Sequence, residues 1–264
     1  MPNVAVDIHD KGDRGKIVTV TLDNSGKLNT VTTPLVEQLT EAFTRFHADK
    51  DLRLMVLTGA GNHAFIGGVD INELAGMTRP TAEAFITRLH HLCTAIRNVP
   101  VPVVARISGY CLGGGLEVAA ACDLRVAATD STFGMPEVNV GIPSVIEAAL
   151  LPRLIGWGKT AELVYTGRML SAEEALVCGL VERVVPGDEL DRAVADWADA
   201  ILNAGPRAIR LQKALLREWE AAPLERAIQR GIRYLGKAYE TDEPQRLMNR
   251  FFAQKRNGVR EEVE

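Results

Sequence analysis

The chain has 264 residues, 47% hydrophobic and 24% charged, an ordinary globular mix that excludes disorder and fibrous repeats. With 30 basic and 34 acidic side chains the net charge is −4, which argues against a general nucleic-acid surface. No apolar run approaches the ~18 residues of a membrane span. The polar start MPNVAVDIHDKGDRG lacks the apolar centre of a signal peptide. Cys93, Cys111, Cys122 and Cys178 form no CxxC pair and read as reduced thiols of a cytoplasmic protein.

In chain order, the β-branched run Ile17–Leu22 predicts a strand. Thr33-Pro34 reads as an N-cap and first helical proline, opening a helix to about Ala48. Leu54–Thr58 is a second, buried strand. Helices are expected near Val69 and from about Thr81 to Arg97. Val103–Ser108 is apolar enough to be buried on both faces, as in a parallel sheet. Gly113-Gly114-Gly115 follows, then Leu116–Ala121 as helix and Leu124–Ala128 as strand. This rhythm predicts an α/β fold. Ser144–Leu154 reads as helix, and Ser171-Ala172-Glu173-Glu174 as a capping box with Gly179 past the helix end. From about Asp188 the chain is helical, with breaks at Gly205-Pro206, Pro223 and Asp242. An α/β core, 1–190, is thus followed by a helical region, 191–264. Residues 1–204 hold 17 basic and 25 acidic side chains, net −8, and residues 205–264 hold 13 and 9, net +4. Solvated helix faces account for this. The alternative is that the basic helices hold an anionic ligand or dock on an acidic neighbouring subunit.

Neither the Rossmann nor the Walker glycine pattern is present. Gly67-Gly68 and Gly113-Gly114-Gly115 each precede a helix, where backbone N–H groups and a partial positive charge meet a ligand. The N–H groups of Val69 and Gly114 can both point at one oxygen, the arrangement a developing oxyanion needs. No GxSxG or nucleophile set accompanies them. The histidines lack metal-ligand spacing, so no metal site is expected. Acids remain as catalysts. Glu117 lies in the first turn after Gly114 inside the apolar run LEVAAAC, where it needs a partner or a polar cavity. The alternative is a helix-dipole partner at the N-terminal turn. Glu137 follows Phe133-Gly134-Met135-Pro136. Together the two form a candidate acid–base pair.

These residues resemble the enoyl-CoA hydratase/isomerase (crotonase) superfamily, over almost the whole chain. Lys27-Leu28-Asn29, Ala64–Ile71, Gly109–Glu117, Cys122–Arg125, Phe133–Glu137 and the run Thr166–Val181 resemble its blocks in the correct order. The resemblance implies a crotonase (ClpP/crotonase-like) fold of repeated ββα units, with a helical C-terminal layer that packs in homotrimers or homohexamers. It implies an acyl-CoA substrate, with coenzyme A part of that substrate and no other cofactor. The thioester oxygen would lie between the N–H groups of Val69 and Gly114. The loop Ile66, Gly67, Gly68, Val69, Asp70, with Ile71 after it, would contact the adenine through its backbone. Lys27, beside Leu28, would lie near the phosphates. Glu117 would deprotonate a water for attack at Cβ, and Glu137 would exchange the proton at Cα.

One stretch departs from the hydratase pattern. In place of a glycine-rich P-G-x-G-G stands Pro143-Ser144-Val145-Ile146-Glu147-Ala148. Ser144, Val145 and Ile146 would stand near the acyl pocket. Glu147 is read as a first-turn helix residue, the alternative being a third acid. The expected activity is an enoyl-CoA hydratase. The alternatives are another crotonase-type enzyme, a double-bond isomerase or hydroxyacyl-CoA lyase, and a non-catalytic acyl-CoA or RNA-binding relative. The paired glutamates speak against the last, and no nucleic-acid or membrane partner is expected.

Overall fold

The computed structural model describes residues 2–261. Its strands are β1 (Asn3–Asp10), β2 (Lys16–Asp23), β3 (Leu52–Gly59), β4 (Ala64–Ile66), β5 (Val103–Ile107), β6 (Tyr110–Leu112), β7 (Leu124–Ala128), β8 (Thr132–Gly134), β9 (Met169–Ser171) and β10 (Arg183–Val185). Its helices are α1 (Thr33–Thr44), α2 (Ile71–Ala75), α3 (Arg79–Asn98), α4 (Gly114–Ala121), α5 (Leu151–Thr166), α6 (Ala172–Val177), α7 (Leu190–Asn203), α8 (Pro206–Glu220), α9 (Leu224–Ala238) and α10 (Glu243–Glu261). The chain divides into two compact units, Met1–Ala198 and Asp199–Glu264, which meet inside α7. The boundary read from sequence, 190–191, falls where that helix begins.

In the first unit a six-stranded sheet runs β1-β2-β3-β5-β7-β10 and a smaller one β4-β6-β8-β9. The large sheet is parallel from β2 to β10, with β1 antiparallel to β2. All eight residues of β3 are buried, as both faces of a central parallel strand are covered. Each repeat places one strand in each sheet and then a helix: β3, β4, then α2 and α3; β5, β6, then α4. Phe43, Phe65, Leu89, Leu92 and Phe133 are among the largest side chains sealed in the core.

Several expectations are corrected. The acidic N-terminus is a strand: Val4, Val6 and Ile8 alternate with Asn3, Ala5, Asp7 and His9, and eight residues pair with β2. The cap of α1 is Thr32, while the N–H and hydroxyl of Thr33 both donate to the Glu73 carboxylate. Ser144 and Val145 are not helical: a 3-10 turn, Ile146–Leu150, begins after them and passes into α5. The Ser171 capping box forms with Glu174 at N3, and Gly179 follows in the left-handed region at φ +82°.

In the second unit, Glu243 is 7% exposed and accepts the N–H groups of Arg207 and Ala208 at 3.1 and 2.9 Å. Its carboxylate therefore fills the donor end of α8. Trp219 Nε1 donates to Ala227 O (2.9 Å) and Tyr234 to Glu218 (2.8 Å), which joins α8 to α9.

Candidate active site

Parallel pairing of β4 with β6, and of β6 with β8, makes the chain leave all three strands at the same end of the small sheet. The segments that follow, 67–70, 113–117 and 135–137, therefore emerge side by side. The carboxyl ends of parallel strands are where α/β sheets ordinarily bind ligands. A methyl group on Gly114 would lie 3.4 Å from Val69 Cγ2, so the two expected donor residues are neighbours. Val69 bridges Val31, but the bonds are Val31 N–H to Gly68 O and Asp70 N–H to Val31 O, each 2.9 Å. The Val69 N–H is outside that bridge. Gly114 opens α4, and a first helical N–H has no carbonyl within its own helix.

Gly113 joins strand to helix at φ +52°, and a methyl there would lie 2.7 Å from Glu137 Oε1. Glycine is required for the left-handed turn and for the approach of that carboxylate. Glu137 sits in the 3-10 turn Pro136–Val140, and its Oε2 accepts the Ser144 hydroxyl at 2.9 Å. Burial raises its carboxyl above the usual range, opposed by its own N–H and by Ser144. Glu117 is 3% exposed, and its Oε1 accepts the Ala148 N–H at 3.0 Å. Burial pushes its carboxyl up to about 9, the Ala148 N–H opposes this, and the charges of Glu137 and Glu147 reinforce it. Two acids with raised proton affinity beside a pair of N–H donors can give and take protons at a polarised carbonyl.

The other predicted residues fall into two groups. Gly67 donates to Leu28 O at 2.9 Å, which docks the Lys27-Leu28 turn on the 67–70 loop. Leu28 is left-handed at φ +55° and is exposed, as is Ile71. Lys27 Nζ is 3.0 Å from Asp70 Oδ2. Its charge is therefore shared with a carboxylate before any phosphate arrives. Asp70 also caps α2 through Asn72 N–H (2.9 Å), and Lys27 foremost, then Asn72, hold its carboxyl below the usual range. The Ile66 side chain is fully buried, so only its main chain faces the loop. Gly68 lies at φ +112° against Leu112 O. Ser144 contacts Glu137, Val145 is exposed, and Ile146 packs against the core at φ +36°, unusual for a β-branched residue.

Sequence reasoning missed two contributors and gave second place to the role of a third. Asn29 is buried and clamps the β3–β4 turn, donating to Ala60 O and Ala64 O at 3.0 and 2.7 Å. Ala148 supplies the N–H on Glu117. Glu147 is not simply a first-turn helix residue: it is 7% exposed, with Oε1 2.9 Å from His90 Nδ1. A carboxylate in an apolar turn was the available signal; its partner is 57 residues away in the sequence.

The family model described as enoyl-CoA hydratase/isomerase matches residues 12–260. The chain is 36% identical to a carnitinyl-CoA dehydratase of Salmonella typhi, over 84% of this chain and 83% of that one. It is 31% identical to a crotonyl-CoA hydratase of Syntrophomonas wolfei, over 91% and 93%. The structure is similar to an enoyl-CoA hydratase from Bacillus anthracis, with TM-score 0.90, 32% identity and 96% of each chain covered.

Proposed function

Because the chain belongs to the enoyl-CoA hydratase/isomerase family and has the crotonase fold, we propose that it is an enoyl-CoA hydratase, adding water reversibly across the double bond of a 2-enoyl-CoA thioester. The observation that carries this reading is the pair of raised carboxyls, buried Glu117 and half-buried Glu137, at the Gly113–Gly114 turn beside Val69. The thioester oxygen accepts the N–H groups of Val69 and Gly114. Addition at Cβ sends an electron pair onto that oxygen, where two fixed donors and the start of α4 stabilise it as an enolate.

In hydration, ionised Glu117 takes a proton from water as the oxygen bonds to Cβ, and Glu137 then gives a proton to Cα. In dehydration, Glu137 removes the Cα proton and Glu117 gives its own to the departing hydroxyl. Burial favours the protonated form of Glu117, the form from which dehydration starts. The two groups titrate as a pair. Water addition is redox-neutral, so the chemistry calls for no cofactor beyond the substrate's coenzyme A. Lys27 and the 66–70 main chain receive the nucleotide, and Ser144 orients Glu137. An isomerase needs one base and leaves Glu117 without a task.

The second unit supports assembly into a homotrimer or homohexamer. Leu224, Ile228, Ile232, Leu235 and Tyr239 form an exposed apolar stripe on α9. Phe251 and Phe252 are exposed on α10, whereas the Lys255 and Arg256 side chains lie outside the described residues. Among the described residues no helix is long and apolar enough to cross a membrane, and a cytoplasmic setting fits the free cysteines. A panel of short, long and aromatic enoyl-CoA thioesters, followed by loss of enoyl-thioester absorbance, tests the activity; no loss with any member contradicts it. Light scattering tests assembly, with a mass at a multiple of three chains expected and a clean monomer contradicting it.

A further inference from the structure

A third acid stands behind the catalytic pair. Glu147 immediately precedes Ala148, whose N–H holds Glu117, so the two carboxylates meet at one turn. Its Oε1 is 2.9 Å from His90 Nδ1 on α3, and its Oε2 is buried with no hydrogen-bond partner. The His90 side chain is half exposed, and its Nε2 lies 3.5 Å from Thr94 Oγ1. The titratable groups facing Glu147 are His90 and Cys93 from α3 and Glu117 from α4. Burial pushes the Cys93 thiol up, and the charges of Glu147 and Glu117 add to this. As mere filling such a residue is expensive: an orphaned carboxylate oxygen costs free energy that an apolar side chain of similar volume would not.

We propose that Glu147, held by His90, is a positioning residue for Glu117, its charge deciding whether Glu117 keeps its proton. Two carboxylates at one buried turn compete to ionise, and loss of charge on one eases ionisation of the other. His90 links Glu147 to the solvent side of α3. The mechanistic meaning rests on the hydratase reading, in which Glu117 must release its proton before it can accept one from water.

The test is a carbon-13 NMR titration of labelled glutamate in the free protein, with the Glu117 signal assigned by its loss in Glu117→Gln. Glu147→Gln is expected to lower the Glu117 midpoint by about one pH unit or more. The acidic limb of kcat/KM should move the same way. His90→Ala alters a half-exposed position and decides the matter if Glu147→Gln does not fold. It removes the hydrogen bond that holds Glu147, so the Glu117 midpoint moves. A purely structural role would lower Tm and leave the midpoint where it is. An unchanged midpoint in the folded variants, or a raised one in Glu147→Gln, overturns the proposal. A lowered midpoint without turnover of any enoyl-CoA keeps the coupling and refutes the hydratase reading. Normal turnover with a fixed midpoint does the reverse.

Discussion

Asp70 and Glu117 both stand at the start of a helix that follows a strand of the small sheet, and they differ in what surrounds them. Asp70 meets the Lys27 ammonium and the Asn72 N–H, and its carboxyl is held below the usual range. Glu117 has main-chain N–H groups, an apolar helix and two other acids for company, and its carboxyl is pushed up to about 9. Helix position is therefore not what sets the chemistry of these acids. The Lys27 ammonium and the Asn72 N–H make Asp70 a fixed anion that anchors a loop. Burial without a cation makes Glu117 a proton carrier. The loop side is built to hold shape, and the acid side to change charge.

The sharpest way to break this contrast is to remove the carboxyl while keeping its shape. Glu117→Gln and Glu137→Gln are each expected to lower kcat by about 10²–10⁴-fold, with KM within a few-fold. Loss in Glu137→Gln alone would indicate an isomerase. The same Glu117→Gln variant should be more stable than the parent at pH 8, by on the order of a few kcal/mol. The sign follows from proton binding: between about 4.5 and about 9 the folded state keeps a proton that the unfolded state has lost, so stability falls as pH rises through that window. Denaturant titrations should show the gain fading as pH drops toward 4.5.

Gly113→Ala tests the junction between the two sides. A methyl 2.7 Å from Glu137 Oε1, at φ +52°, must displace the carboxylate and strain the turn. The expected cost is about 1–3 kcal/mol in stability, and kcat should fall with little change in KM. The smallest effect is expected at the loop. Lys27→Met removes an exposed partner from Asp70, so stability should change by less than about 1 kcal/mol. The Asp70 carboxyl, titrated by NMR, should rise toward its ordinary value. If Lys27 also meets the phosphates, KM for an acyl-CoA rises while kcat holds.

What could be read from sequence was what neighbours in the chain decide. The strand–helix alternation, the Ser171 capping box and the breaks at Gly205-Pro206, Pro223 and Asp242 all lie where the structure puts them. The glycines before Val69 and Gly114 located the two turns, because only small residues allow that approach. What stayed hidden depends on partners far along the chain. Strand β1 owes its place to pairing with β2. Glu243 caps a helix by accepting from Arg207, 36 residues earlier, and Asn29 clamps a turn 31 and 35 residues away. Glu147 looked like an ordinary first-turn acid because nothing local shows that His90 will face it.

The central claim is that Glu117 and Glu137 add water across an enoyl thioester polarised at Val69 and Gly114. Mass spectrometry of the products from a 2-enoyl-CoA panel in heavy-oxygen water tests it most directly. One substrate should yield a 3-hydroxyacyl-CoA with a single heavy oxygen at Cβ, and the Glu117→Gln and Glu137→Gln proteins should form almost none. An isomer of unchanged mass, or equal labelling by either variant, would contradict the account.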